Sequence, residues 1–157
     1  MKHLTQNIKV TNAIASLLNA ATETGLNPAW FEADSSLNDD GFKDAAFADS
    51  GLETPSGKPA RTNWSFRLRL NPEDLGKETP YTVITPTLAL RRLRKFAKDE
   101  TQPDWIRSKA VIFLTYLDLL DSAPDLAQTY YDDNVEHDGV VDDALLQYVV
   151  ALDIVFG

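Results

Sequence analysis

Residues Trp64–Leu70 read WSFRLRL, with Trp64, Phe66, Leu68 and Leu70 alternating against Ser65, Arg67 and Arg69. A period of two puts successive side chains on opposite faces of an extended chain, so this stretch predicts a strand with one apolar face. Its reading decides the fold class, because the other strongly patterned segments mostly carry helical spacing. After the loop 71–80, Tyr81–Thr85 is aromatic and β-branched and can pair with the first strand across a long connection. Two strands alone are marginal in water, so helices have to cover them. The expectation is a single α+β domain over residues 1–157, mainly helical with a small antiparallel β-hairpin; an all-α fold is the alternative.

Downstream, Thr85 and Pro86 supply an N-cap and a first-turn proline for a helix over 86–98, whose apolar stripe is Leu90, Leu93, Phe96 and Ala97. Pro103 opens a second helix, with Ile106, Ala110, Phe113, Leu114, Leu117 and Leu120 on one broad face until Ser122–Pro124 interrupts it. Asp125–Tyr131 suits a short helix. Asp142 and Asp143 suit the N-terminus of a last one, buried through Leu145, Val149, Leu152 and Phe156. Upstream, Val10, Ile14, Leu17, Leu18 and Ala21 predict a helix over about Thr5–Thr24, stopped by Gly25. The intervening stretch 27–60 is rich in Asp, Ser, Gly and Pro and has no sustained period, which predicts loop with short helical turns. Long irregular segments in compact domains often carry function, which singles out Asn38–Phe47 and Ser50–Arg61.

The chain has 157 residues, 43% of them hydrophobic, enough to close one core. It contains no cysteine, which excludes disulfides, thiolate metal sites, iron–sulfur clusters and a cysteine nucleophile. A cytoplasmic location follows as the expectation, since MKHLTQNIKV at the start lacks the apolar run of a secretory signal. The most apolar stretch, Ala110–Leu120, is broken by Thr115 and Asp118 and falls short of the roughly 18 residues of a membrane span, so no membrane association is expected.

Charge is divided along the chain. Residues 1–60 carry four lysines against eight carboxylates, and residues 61–110 carry eleven basic groups against six acidic ones. Residues 111–157 hold ten carboxylates and no Lys or Arg, and the whole chain has a net charge of −9. Either the basic middle packs against the acidic end, or the surface is bipolar and steers a partner.

Two segments hold the candidate site residues. Arg91, Arg92, Arg94, Lys95 and Lys98 lie on the 86–98 helix, where they are partner-binding candidates, with Arg61, Arg67 and Arg69 in support. The competing reading is an amphipathic helix whose arginine stems cover apolar neighbours. The segment YYDDNVEHDGVVDD, residues 130–143, could hold a divalent cation through Asp132, Glu136 and Asp138. With Asn134 first in a calcium loop, however, Leu145 occupies the twelfth position, where a bidentate Glu is needed. An acidic turn at Gly139 explains the same residues without a metal. His137 could act as a base beside Glu136 or Asp138, although an exposed histidine is the ordinary reading. No nucleophile elbow, Walker loop, dinucleotide fingerprint or zinc-protease helix is present, so no catalytic residue and no cofactor are assigned.

The function expected is therefore a non-enzymatic interaction or regulatory protein. Its charge-polarised surface would bind a protein partner or a second copy of the chain, with the acidic third as a candidate DNA mimic. The alternatives are a nucleic-acid-binding accessory protein using the basic helix, which the net charge disfavours, and a divalent-metal-dependent hydrolase using 132–143.

Overall fold

In the computed structural model of the chain, which describes residues 4–23, 31–34, 41–72, 76, 78–135 and 139–152, WSFRLRL contributes the middle strand of a sheet. Strand β2 (Phe66–Leu70) pairs antiparallel with β1 (Phe31–Ala33) on one side and with β3 (Thr82–Ile84) on the other. Phe66 and Leu68 are buried and Arg67 is exposed, as the alternation predicts. The sheet excludes the all-α alternative; the expected hairpin is present as β2 and β3, and β1 adds a third strand to it.

The added strand comes from the stretch read as loop, and ion pairs help to hold it. Glu32 stands opposite Arg69 in the register and accepts its Nε and Nη2 at 3.0 and 2.8 Å. Asp34, just past β1, accepts Arg67 Nη1 at 2.9 Å. A three-residue strand is too short to display a period of its own, so its pairing with β2 defines it.

Six α-helices accompany the sheet among the described residues: α1 (Ile8–Glu23), α2 (Phe42–Asp49), α3 (Pro86–Lys98), α4 (Asp104–Ser122), α5 (Pro124–Asn134) and α6 (Gly139–Ala151), the last packing on β2 and β3. Thr85 caps α3 as expected, its Oγ1 accepting the Leu88 N–H at 3.1 Å. Helix α2 is the main regular element inside the segment read as irregular, with Phe42, Ala45 and Ala46 buried. Helix α6 begins at Gly139, so Asp142 lies within its first turn. Leu152, expected in the core, is instead exposed just past α6, with left-handed φ of 58°. Gly25 and Phe156 lie outside the described residues.

The core is one continuous cluster. At one end Phe42 packs on Phe66 and Trp64, with ring centroids 4.0 and 5.3 Å apart, and the Trp64 indole N–H donates to the Thr11 carbonyl at 3.2 Å. That cluster ties α1, α2 and β2 together. At the other end Phe96 of α3 meets Tyr148 of α6 edge-on, and the Tyr148 hydroxyl donates to Asp99 at 2.9 Å. Helix α4 packs against both α3 and α5, which share no comparable contact with each other. No described helix is long and apolar enough to cross a membrane.

Candidate functional site

An α-helix advances about 100° per residue, so positions i, i+3, i+4 and i+7 fall on one face. Arg91, Arg94, Lys95 and Lys98 have that spacing, and all four are exposed on α3. They form a stripe about 10 Å long by the helical rise. Among the described residues none of the four makes a hydrogen bond or ion pair. Lys95 and Lys98 lie in the last turn, where cations complement the helix dipole; Arg91 and Arg94 lie earlier, where the dipole gives them no such support. Beside the arginines runs a shallow depression of about 290 Å³ lined by Leu4, Thr5, Thr87 and Leu90.

Arg92 belongs elsewhere. One residue on from Arg91, it is rotated off the stripe and half-buried, and its Nη1 donates to the carbonyls of Val149 at 2.6 Å and Val150 at 3.2 Å. These carbonyls belong to the last turn of α6, where no intrahelical donor remains for them. Thr82 Oγ1 also donates to Val150 O, at 3.1 Å, so α3, β3 and α6 converge there. Burial, and then the charge of Arg91, lower the proton affinity of Arg92. Its place is that of a helix cap, which sets it apart from the four exposed partner-binding candidates.

The supporting arginines are also engaged away from the stripe. Arg67 and Arg69 pair with Asp34 and Glu32 across the sheet, Arg69 also stacks over Tyr81 at 4.6 Å, and the Arg61 guanidinium packs beside Gly41. On α4, Arg107 pairs with Asp104.

In the acidic third, Asp118, Asp125, Asp132 and Asp133 are exposed on α4 and α5. Asp121 accepts the Asn7 amide at 3.1 Å, and Asp142 is buried. Asp132 accepts the Gln128 amide one turn earlier on α5, at 2.8 Å, while Glu136, His137 and Asp138 lie outside the described residues. Among the described residues no three His, Asp or Glu side chains come together as a metal site. Against the calcium-loop alignment, Asn134 ends α5, its side-chain amide donates to the Tyr130 carbonyl, and the following helix already begins at Gly139, the sixth position of that alignment.

A second feature was not anticipated. Helices α1, α2, α4, α5 and α6 enclose a cleft with two chambers that share Ser16, Asp49, Tyr116 and Tyr131. The inner chamber has a free volume of about 30 Å³ and a mostly apolar wall that includes Phe113, Val141 and Leu145, with Lys109 and Asp142 on it as well. The outer chamber holds about 300 Å³, is mostly polar, and opens past Ser50 and Gln128. At the neck the Tyr116 and Tyr131 rings are tilted 56° with centroids 4.8 Å apart. Burial first, then the charge of Asp49, push the Tyr116 hydroxyl up to about 12, and the same two causes raise Tyr131. Both tyrosines are therefore neutral hydroxyls at ordinary pH. The neck residues are up to 115 positions apart, from Ser16 to Tyr131, with no motif joining them, so periodicity alone could not have assembled the cleft.

Compared with protein-family models, with curated proteins and with solved structures, the chain gives no match.

Proposed function

We propose that this is a non-enzymatic interaction protein that captures an acidic protein partner on the exposed stripe Arg91, Arg94, Lys95 and Lys98 of α3. The observation that carries the reading is the contrast between these four cations and their neighbours. Arg67, Arg69, Arg92 and Arg107 each form a hydrogen bond or ion pair within the chain; among the described residues the four cations of the stripe form none, although Lys95 acts on the Asp99 carboxylate through its charge. Four like charges along about 10 Å repel one another, and an acidic partner relieves that repulsion on binding. The depression floored by Leu4 and Leu90 gives such a partner an apolar foothold beside the charges.

A protein partner is favoured over nucleic acid by the rest of the molecule. The net charge of −9 opposes a long polyanion, which would extend past the stripe, whereas a short acidic segment would be confined to it. The exposed carboxylates Asp125, Asp132 and Asp133 sit on α5, which packs on α4 and makes no comparable contact with α3, an arrangement compatible with the charge division of the sequence becoming a bipolar surface.

The test compares the wild type with Arg91→Ala/Arg94→Ala/Lys95→Ala/Lys98→Ala, keeping Arg92, as baits for capture from a soluble lysate at low and high salt. The expected result is a protein held at low salt, released at high salt and lost with the variant. Equal capture by both baits would sink the proposal. Recovery of nucleic acid alone would replace it with the nucleic-acid reading, and salt-sensitive self-association in sedimentation would make the partner a second copy of the chain.

A further inference from the structure

We propose that the outer face of α4 pairs, antiparallel, with the same face of a second copy of the chain. This surface is separate from the α3 stripe and does not depend on it.

The face carries a coiled-coil repeat. Trp105, Ser108, Ile112, Thr115, Leu119 and Ser122 follow one another at intervals of three and four, the spacing of heptad positions a and d, and none of them is charged. Trp105, Ser108 and Ser122 are exposed, and the other three are half-buried along the same face. Trp105 is 53% exposed and the adjoining Val111 48%. Apolar residues scattered singly over a surface are ordinary, whereas a row of them along one helix marks a contact surface. The hydroxyls do not interrupt the row, because each turns back on its own helix. Ser108, Thr115 and Ser122 donate to the carbonyls of Trp105, Val111 and Asp118 at 2.8, 2.9 and 2.9 Å. An apolar surface laid on this face therefore leaves none of these donors without an acceptor.

Shape points to a second copy. Large side chains hold every a position and small ones every d position, so the face fits its own reverse. A twofold axis through the middle of α4, between Phe113 and Leu114, sets Trp105 against Ser122 of the second copy, Ile112 against its Thr115 and Leu119 against its Ser108. All six positions are then filled large against small, which close packing requires. Parallel pairing would instead set the three large side chains against themselves and leave gaps between the small ones.

Charge agrees with that register. Arg107 and Asp118 lie on one flank of the face, and in an antiparallel pair like flanks adjoin. Arg107 comes within about 3 Å, along the axis, of the level of Asp118 in the second copy. It already pairs with Asp104 on its own helix, so the guanidinium ends between two carboxylates. The last turn of α4 holds no basic residue, and the pairing brings the positive end of the other helix dipole beside Asp118. The contact is about 25 Å long and one helix wide, below the roughly 1,200 Å² of a stable interface. The dimer is accordingly weak, with a dissociation constant on the order of 10–100 μM.

The experiment is sedimentation of the full chain up to 300 μM, at low and high salt. A monomer–dimer equilibrium is expected that high salt does not abolish, because the seam is apolar and screening also lessens repulsion between two chains of charge −9. The α3 variant lacking Arg91, Arg94, Lys95 and Lys98 should dimerise as the wild type does, which separates this contact from self-association through the stripe. Trp105→Ala and Ser108→Lys should each weaken the dimer at least ten-fold, the second even though it lowers the net charge. Circular dichroism verifies folding, and Ser108→Lys, on the surface, remains interpretable if Trp105→Ala unfolds. Orientation is read by oxidation of single cysteines placed in this cysteine-free chain. Thr115→Cys should cross-link to its own copy, whereas Ser122→Cys, about 25 Å from its copy in the antiparallel pair, should not. A monomer at 300 μM, dimerisation unaffected by the seam variants, or equal cross-linking at 115 and 122 would each overturn the proposal.

Discussion

At the scale of single residues, Arg91 and Arg92 show how one step along a helix separates two roles. Arg91 faces solvent, and Arg92 gives its guanidinium to the carbonyls of Val149 and Val150. A charged donor to buried-end carbonyls contributes more than a neutral hydrogen bond, so Arg92→Met should lower stability by about 1.5–3 kcal/mol. Arg91→Met should change it by no more than about 0.5 kcal/mol. Urea unfolding of both variants checks this, and equal midpoints would contradict the cap. The sequence displayed the five cations and the apolar stripe that phases them. It could not display the difference between neighbours, because the carbonyls that claim Arg92 lie 57 and 58 residues away.

At the scale of elements, legibility followed length and period. The alternation of Trp64–Leu70 and the stripe of 86–98 emerged as β2 and α3, because each buries one face at the repeat its sequence carries. Strand β1 is too short for that, and α2 was obscured by its polar surroundings, although Phe42, Ala45 and Ala46 turn inward. Helix α2 starts at a backbone position that composition does not explain. Gly41 has φ of 81°, and a Cβ there would stand 2.7 Å from Arg61 Nη2. Gly41→Ala should therefore cost about 1–2 kcal/mol, from the left-handed strain together with the displaced guanidinium. Gly51, with φ of 72° and open space around it, isolates the first part. Gly51→Ala should cost less than Gly41→Ala in thermal unfolding, and Arg61→Ala should narrow the gap. If the two glycine variants match, the Arg61 contact contributes nothing to how α2 begins.

For the whole molecule, the cleft that nothing in the pattern announced is also where five helices meet, so its titration is felt by global unfolding. The unfolded-state value for tyrosine is 10.0, and Tyr116 in the fold is pushed up to about 12, chiefly by burial and next by Asp49. The folded state thus holds that proton more tightly than the unfolded chain does. Its contribution is fully present below about pH 10 and is lost as pH rises toward about 12, because the unfolded state ionises first. Tyr131 is raised for the same reasons, burial first, so it adds to the same alkaline limb. Stability measured by urea unfolding should fall across that window in the wild type and fall less steeply in Tyr116→Phe, which has no proton to lose. The difference between the two curves matters, because every other titrating group is common to both proteins. Parallel curves would mean that Tyr116 is as open to water in the fold as in the unfolded chain, and that burial at the neck of the cleft does not hold its proton.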